Sequence, residues 1–527
     1  MVGDSLTEQF GIRSLEFSPE FGFKLNGKKI FLQGNANHHD LGALGATCYD
    51  KAIERMMLQL KSFGYNCIRC SHNPYSDSFA RIADRVGILV VDELTDKWSD
   101  NDYWGGRQPF THIWHKLITE WIKRDRNRPS IILWSLGNEL QIREGWAGFE
   151  GTNDWGITTY NIFNQLVKRW DHTRLTTVAM FPARAGAITR HDKEFNDYLV
   201  PPELACATEV ASFNYQSDKY DAYLKYRPDL ILFQSEAETS NLLQPYYNMD
   251  KERMVGIAYW GSVEYWGESN KWPKKGWNYS FFEHTMRPYP QAYLIKTAFM
   301  PEIPEVHIGV VDAAGAESVS WNDVIVGRMA LNECWNHTPG SRRSLFTFTN
   351  AHSVELLVNG QSMGIQKNDT TRANLRNMIY WKDVPYGNGG SVVAIARDKS
   401  GKEVARHRIE TAGKAVALRI EAETPTDWKA DGMDLQYINV TVIDKKGRPV
   451  WDYNEPLTLQ MEGAARLVAL DNGDHYTDEL FHGITSKRMY QGRMQIILRS
   501  DQEAGNVTVK ISSAGLKGTL RLKTIKE

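Results

Sequence analysis

Two glutamates close apolar runs in this chain, in Ile131-Ile-Leu-Trp-Ser-Leu-Gly-Asn-Glu139 and in Leu230-Ile-Leu-Phe-Gln-Ser-Glu236. Each run has the length and apolarity of a buried strand, so each would deliver one carboxylate to a strand's carboxyl end. A closed barrel of parallel strands gathers its chemistry at that end, and two carboxyl groups facing across its mouth suit cleavage of a glycosidic bond. The retaining form of that reaction needs them about 5–5.5 Å apart, one protonated to assist the leaving group and one ionised to attack the anomeric carbon. A pair of structural ion pairs is the competing reading of two buried glutamates. It loses ground because both lie at matching strand ends.

Polar neighbours extend the pattern. Asn138, beside Glu139, can donate an amide hydrogen bond to a sugar hydroxyl, a bond that strengthens as charge develops at the adjacent carbon; alone it would be a turn residue. Arg69 and His72 end another strand-like run, Ile68-Arg-Cys-Ser-His-Asn-Pro74. There the guanidinium can hold a nucleophile ionised and the imidazole can bond a sugar hydroxyl or fill a structural role. Tyr215 and Trp260 end two more runs, offering a phenol for the nucleophile and an apolar wall for a pyranose ring, with core packing competing for the tryptophan.

These residues need a scaffold, and the sequence supplies its rhythm. Asn26-Gly27 between Phe21-Gly-Phe-Lys-Leu and Lys29-Ile-Phe-Leu-Gln is a hairpin signal. Strand-length apolar runs then fall at 30–35, 66–70, 88–92, 131–136, 175–180, 209–214, 230–233 and 254–260. Helical periodicity fills segments between them, as at 51–63, 113–124, 157–170 and 218–226. Eight such units predict an α/β fold, a (β/α)8 TIM barrel over residues 21–300, after a short lead-in at 1–20. Beyond Pro301-Glu-Ile-Pro304 the texture turns to short alternating strands with Gly, Asn and Asp turns. Two all-β immunoglobulin-like sandwich domains, at 301–413 and 414–527, are the expected reading. In the second, Asp471-Asn-Gly-Asp474 reads as a turn before it reads as a cation site.

Composition narrows the partners. A formal net charge of −2 and a pI near 6.7 leave no footprint for nucleic acid or an anionic membrane, and no apolar stretch is long enough for membrane insertion. A neutral oligo- or polysaccharide is the expected partner, with a homo-oligomer open. The amino terminus lacks signal-peptide character, so the expectation for the chain as written is cytoplasmic, or periplasmic or secreted if it is an amino-terminally truncated form. The five cysteines form an odd, sparse set of free thiols. Cys67 and Cys70 match a CxxC spacing, but on a strand their side chains would point to opposite faces. No cofactor and no metal are expected.

Several stretches also carry a family resemblance: His38-His-Asp-Leu-Gly42, Arg69-Cys-Ser-His-Asn-Pro74, Val90-Val-Asp-Glu93, Trp134-Ser-Leu-Gly-Asn-Glu139, Ser235-Glu236 and Trp260. From about Gly11 onward the chain resembles glycoside hydrolase family 2, the β-galactosidase, β-glucuronidase and β-mannosidase group. The resemblance implies that Glu139 is the acid/base and Glu236 the nucleophile, with Glu238 as fallback. It further implies that His72 contacts sugar, that Arg69 and Tyr215 support the nucleophile, and that Trp260 is the barrel tryptophan. His39, Asp96 and Trp98 resemble positions of a β-galactosidase-like subgroup. Two departures stand out. The Glu-x-His pattern of metal-binding β-galactosidases is replaced by Asp92-Glu-Leu-Thr-Asp-Lys-Trp98, so a magnesium requirement is not implied, and Ser280 stands where glucuronidases carry a lysine. Relatives also place a jelly roll and an immunoglobulin-like domain ahead of the barrel. The implied function is an exo-acting retaining β-glycosidase, first a β-galactosidase; the alternatives are β-mannosidase, β-glucuronidase or an inactive carbohydrate-binding form.

Overall fold

The computed structural model describes residues 7, 9–98, 109–140, 156–180, 200–215, 217–269, 271–312, 317–321 and 324–526. Eight parallel strands close into a barrel: β1 (Leu32–Asn37), β2 (Cys67–Cys70), β3 (Leu89–Glu93), β4 (Ile131–Asn138), β5 (Leu175–Met180), β6 (Val210–Asn214), β7 (Leu232–Ala237) and β8 (Gly256–Trp260). Closure comes from β8 pairing with β1, Trp260 beside Ala36. Around it run helices that include α1 (Asp50–Ser62), α2 (Asp77–Val86), α3 (Phe110–Asp125) and α4 (Ile157–Trp170).

The strands are apolar on both faces because both are covered, one by the barrel interior and one by the helices. In β2, Cys67 packs inward with Val91 and Phe233, while Ile68 and Cys70 join the helix-side core with Val90. The CxxC pair is therefore split across the sheet, as the strand period requires. The expected first strand starts two residues late because the hairpin takes Lys28–Lys29. Its turn residues, Asn26 and Gly27, have φ of 53° and 73°, the two left-handed positions of a type I′ turn. That hairpin also pairs with Leu15–Ser18, so a three-stranded sheet begins within the expected lead-in.

Past the helix Ala292–Phe299 the described chain is all β. Two four-stranded antiparallel sheets between Val306 and Glu410 enclose one core that includes Trp335, Leu356 and Trp381. Two more, between Ala415 and Lys523, enclose another with Trp428, Val440 and Leu498. This last pair folds back on the barrel: Tyr437, Ala469 and Ile497 pack against Leu44 and Ala52, and Arg55 of α1 grips Glu423 through two hydrogen bonds of 2.6 and 2.9 Å. No described helix is long and apolar enough to cross a membrane.

Candidate active site

All eight strands end on one rim, and β2, β3, β4, β6 and β7 converge there on one buried polar network. Its centre is Arg69, fully buried on β2. The guanidinium donates to Glu236 Oε1 at 2.7 Å, to both oxygens of Glu93 at 2.7–3.0 Å and to Asn138 Oδ1 at 2.9 Å. An arginine with no water around it needs its charge matched, and two carboxylates supply the match. Glu93 also meets His72 Nδ1 at 2.7 Å and accepts from Ser135 Oγ at 2.7 Å. Burial alone would favour the neutral acid at Glu93, but Arg69, His72 and Ser135 outweigh it and keep the carboxylate ionised.

Glu139 sits in the opposite electrical condition. Asn214 donates to its Oε1 at 3.1 Å. Burial, and then the negative charge of Glu236, push its carboxyl up to about 8, against the pull of Lys97. Lys97 is buried, donating to the carbonyl of Asn138 at 3.0 Å and to Asp96 Oδ1 at 2.6 Å. Asn138 in turn donates to Asp96 Oδ1 at 3.0 Å. Burial works against charge on Asp96, yet His72 and Lys97 prevail and hold its carboxyl low, and the side chain keeps 44% of its surface open to solvent.

Backbone irregularity aims these groups. Strict alternation along β7 would send Phe233 and Ser235 inward and Gln234 and Glu236 outward. Pairing with β6 shifts between Gln234 and Glu236, and this bulge turns Glu236 into the barrel while Ala237 joins the helix-side core. A similar shift between Ser135 and Asn138 on β4 brings Asn138 inward. Glu139 and Tyr215, just past β4 and β6, both hold positive φ, 49° and 58°, an uncommon conformation for side-chain-bearing residues that recurs at functional sites. The Tyr215 phenol is buried and faces the charges of Glu236 and Glu139, which with burial raise its pKa well above the ordinary value.

The structure thus brings together Glu139, Glu236, Arg69, His72, Asn138, Tyr215 and Asp96. Trp260 joins them, stacked on His72 at 5.3 Å with an interplanar angle of 9°. With only 2% of it exposed, most of that indole serves packing. His39 is directed elsewhere: its ring stacks on Tyr75 at 4.7 Å, and His38 instead meets His72 and Trp260 edge-on. Trp98 is core, donating to the Leu136 carbonyl at 2.7 Å and packing on Phe163. Glu238 bonds Asn241 and lines a cavity of about 370 Å³ among Tyr220, Leu232 and Pro245, on the helix side of β7. The sequence reading omitted Glu93, Lys97 and Asn214 as functional groups. Glu93 and Asn214 end β3 and β6 at the level of Asn138, a strand-end position that could have flagged them.

A cavity of about 750 Å³ lies between α1 and the carboxy-terminal sheets, and neither Glu139 nor Glu236 lines it. The network of charges, not cavity size, locates the site.

Residues 20–253 match the glycosyl hydrolases family 2 TIM barrel domain, and residues 418–520 match glycoside hydrolase family 2 C-terminal domain 5. The chain belongs to glycoside hydrolase family 2. Between those family 2 regions, residues 340–405 match a domain of unknown function, DUF4982. A family 2 member of solved structure from Bacteroides cellulosilyticus superposes with a TM-score of 0.85 at 28% identity, over 98% of this chain and 65% of that one. A Bacteroides ovatus β-galactosidase is 27% identical over 98% of this chain and 64% of its own length. A Formosa agariphila protein, provisionally named a β-glucuronidase, is 44% identical over 99% of this chain and 51% of its own length. The chain therefore spans between about half and two thirds of the length of these curated relatives.

Proposed function

We propose that this chain is an exo-acting, retaining β-glycosidase that prefers a β-galactoside. The observation that carries the reading is the split between its two carboxyl groups, with Glu236 paired to Arg69 at 2.7 Å and Glu139 pushed up to about 8. Held by the Arg69 guanidinium, Glu236 is the group that attacks the anomeric carbon. Protonated at neutral pH, Glu139 delivers its proton to the departing oxygen. Once the glycosyl group neutralises Glu236, the repulsion on Glu139 falls, so the ionised form is no longer opposed and it activates the water that releases the sugar.

The charges around the site support a neutral sugar. Arg69 is consumed by two carboxylates and Lys97 by Asp96, while the half-open Asp96 is an acceptor for a sugar hydroxyl. Ser280, at the position where glucuronidases carry a lysine, is buried. A β-glucuronide is the second reading, favoured by the name of the 44% identical relative. Hydrolysis of aryl β-galactoside, β-glucoside, β-mannoside and β-glucuronide tests both. Galactoside turnover whose first product, seen by proton NMR, is the β-anomer is the expected result. A first-formed α-anomer would overturn the retaining mechanism, preference for the glucuronide would replace the substrate, and silence from the folded protein on all four would favour a carbohydrate-binding role.

A further inference from the structure

Away from the barrel mouth, a second set of titratable groups is sealed where the carboxy-terminal sheets meet the barrel. Glu264 follows β8, His284 lies in the segment after Gly276–Trp277, and Asp471 and His475 come from the carboxy-terminal domain. All four are buried. Glu264 Oε2 lies 3.0 Å from His284 Nδ1 and 3.1 Å from His475 Nε2. The ligand-capable atoms of these three residues all fall within 4.8 Å of one another.

Most of the cluster is satisfied. His284 is held between Glu264 and Asp471, its Nε2 lying 2.9 Å from Asp471 Oδ1, and Tyr289 donates to Glu264 Oε1 at 2.6 Å. His475 is the exception. Neither of its ring nitrogens makes a hydrogen bond, although Nε2 is 3.1 Å from a carboxylate oxygen. A buried imidazole left in that condition calls for a missing partner.

We propose that Glu264, His284 and His475 bind a divalent transition ion of the zinc class, which fastens the carboxy-terminal domain to the barrel. Zinc bonds of about 2.0–2.2 Å in a tetrahedral shell place ligand atoms roughly 3.3 Å apart, close to the 3.0 and 3.1 Å that separate Glu264 Oε2 from the two imidazoles. Two imidazoles and a carboxylate suit zinc, and the outer contacts have the expected form. Asp471 bonds the far nitrogen of His284, and Tyr289 occupies the other oxygen of Glu264, so each orients a ligand. Binding displaces the proton from His284 Nδ1, which leaves to solvent. The Trp266 indole packs against both rings, 4.6 and 4.9 Å away, so the ion would also fix the Tyr265–Trp266 strand next to the active site.

Another histidine cluster, His307, Glu333 and His407, lies in the preceding β domain and serves as the internal control. The test titrates zinc into the untagged, chelator-stripped protein against a chromophoric competitor. One ion is expected, with an apparent Kd at or below about 1 µM, together with a rise in Tm of several degrees. His475→Gln and Glu264→Gln should each weaken binding at least 100-fold, Asp471→Asn by about 10–100-fold, and His407→Gln should leave it unchanged. No binding to the folded wild-type protein would overturn the proposal. So would binding unaffected by His475→Gln and Glu264→Gln, or lost in His407→Gln. Should both ligand variants fail to fold, Asp471→Asn and His407→Gln still decide between the clusters.

Discussion

The barrel mouth and the junction with the carboxy-terminal domain are made from the same materials, buried carboxylates and imidazoles, and arrive at opposite electrical states. At the mouth, Arg69 pairs with both Glu236 and Glu93, while at Glu139 burial and the like charge of Glu236 outweigh Lys97 and the Asn214 amide. At the junction, His284 bridges Glu264 and Asp471, and burial's bias against the charge of both carboxylates is outweighed by the facing imidazoles. The difference lies in the placement of cations rather than in burial, which is nearly complete in both. A carboxyl pressed by burial and a like charge makes a proton donor; carboxylates faced by imidazoles make a joint.

Substitution of Glu236, the proposed nucleophile, carries the largest expected effect. Glu236→Gln should reduce turnover of an aryl galactoside by more than about 10⁴-fold and prevent covalent labelling by a fluorinated glycoside. Labelling that persists would return the role to Glu238, despite its position behind β7. Next in size, Glu139→Gln should slow substrates with poor leaving groups by about 10²–10⁴-fold and spare those with very good ones. Equal losses across leaving groups would remove the acid assignment.

Glu139→Gln also tests the electrical contrast through stability. A carboxyl whose folded pKa is raised to about 8 contributes stability in full below its unfolded value of 4.5, and that contribution is lost as pH rises through 8. The variant should therefore gain Tm relative to wild type at pH 9 and gain little at pH 5. The junction carboxylates, depressed instead, keep their contribution above their unfolded values and lose it in acid. Acid should thus weaken the junction while it relieves the mouth, a contrast that hydrogen exchange at Leu435–Asp444 and at β4 would resolve.

How much of this the sequence carried depended on whether a local period or a tertiary contact set the feature. Apolar runs and helical spacing carried the eight strands, because a barrel buries both faces of each strand and leaves a plain signal. The hairpin was legible in Asn26-Gly27, whose conformation is local. The direction of Glu236 was not, since alternation along β7 points it outward and only the bulge against β6 reverses it. Trp260 looked like a sugar platform because composition does not tell that His72 covers one face. The junction cluster joins residues as far apart as Glu264 and His475, with no motif spacing to mark them; Asp471-Asn-Gly-Asp474 read as a turn, and Gly473 N does bond Asp471 Oδ1 at 3.0 Å.

A substitution at Glu93 asks how far the mouth depends on the second carboxylate at Arg69. Glu93→Gln leaves Arg69 with Glu236 alone and His72 without its carboxylate, so about 3 kcal/mol of stability should be lost, read from the unfolding of the barrel. A neutral effect would mean that Glu236 alone suffices for Arg69.

The smallest expected effect lies on the far side of α1. Arg55 pairs with Glu423, donates to the Thr285 carbonyl at 3.0 Å and lies 4.4 Å from the Tyr437 ring, yet both charged partners keep contact with solvent. Water screens such a pair, so Arg55→Ala should cost about 1 kcal/mol and speed exchange along Leu435–Asp444 about fivefold. Activity should stay within about twofold, because no hydrogen bond of Arg55 reaches the network around Arg69. A tenfold loss would show that the docked domain is coupled to the mouth. The physical route would then be the Tyr265–Trp266 strand, whose tryptophan packs on the junction imidazoles while its tyrosine packs on His38 and Trp260.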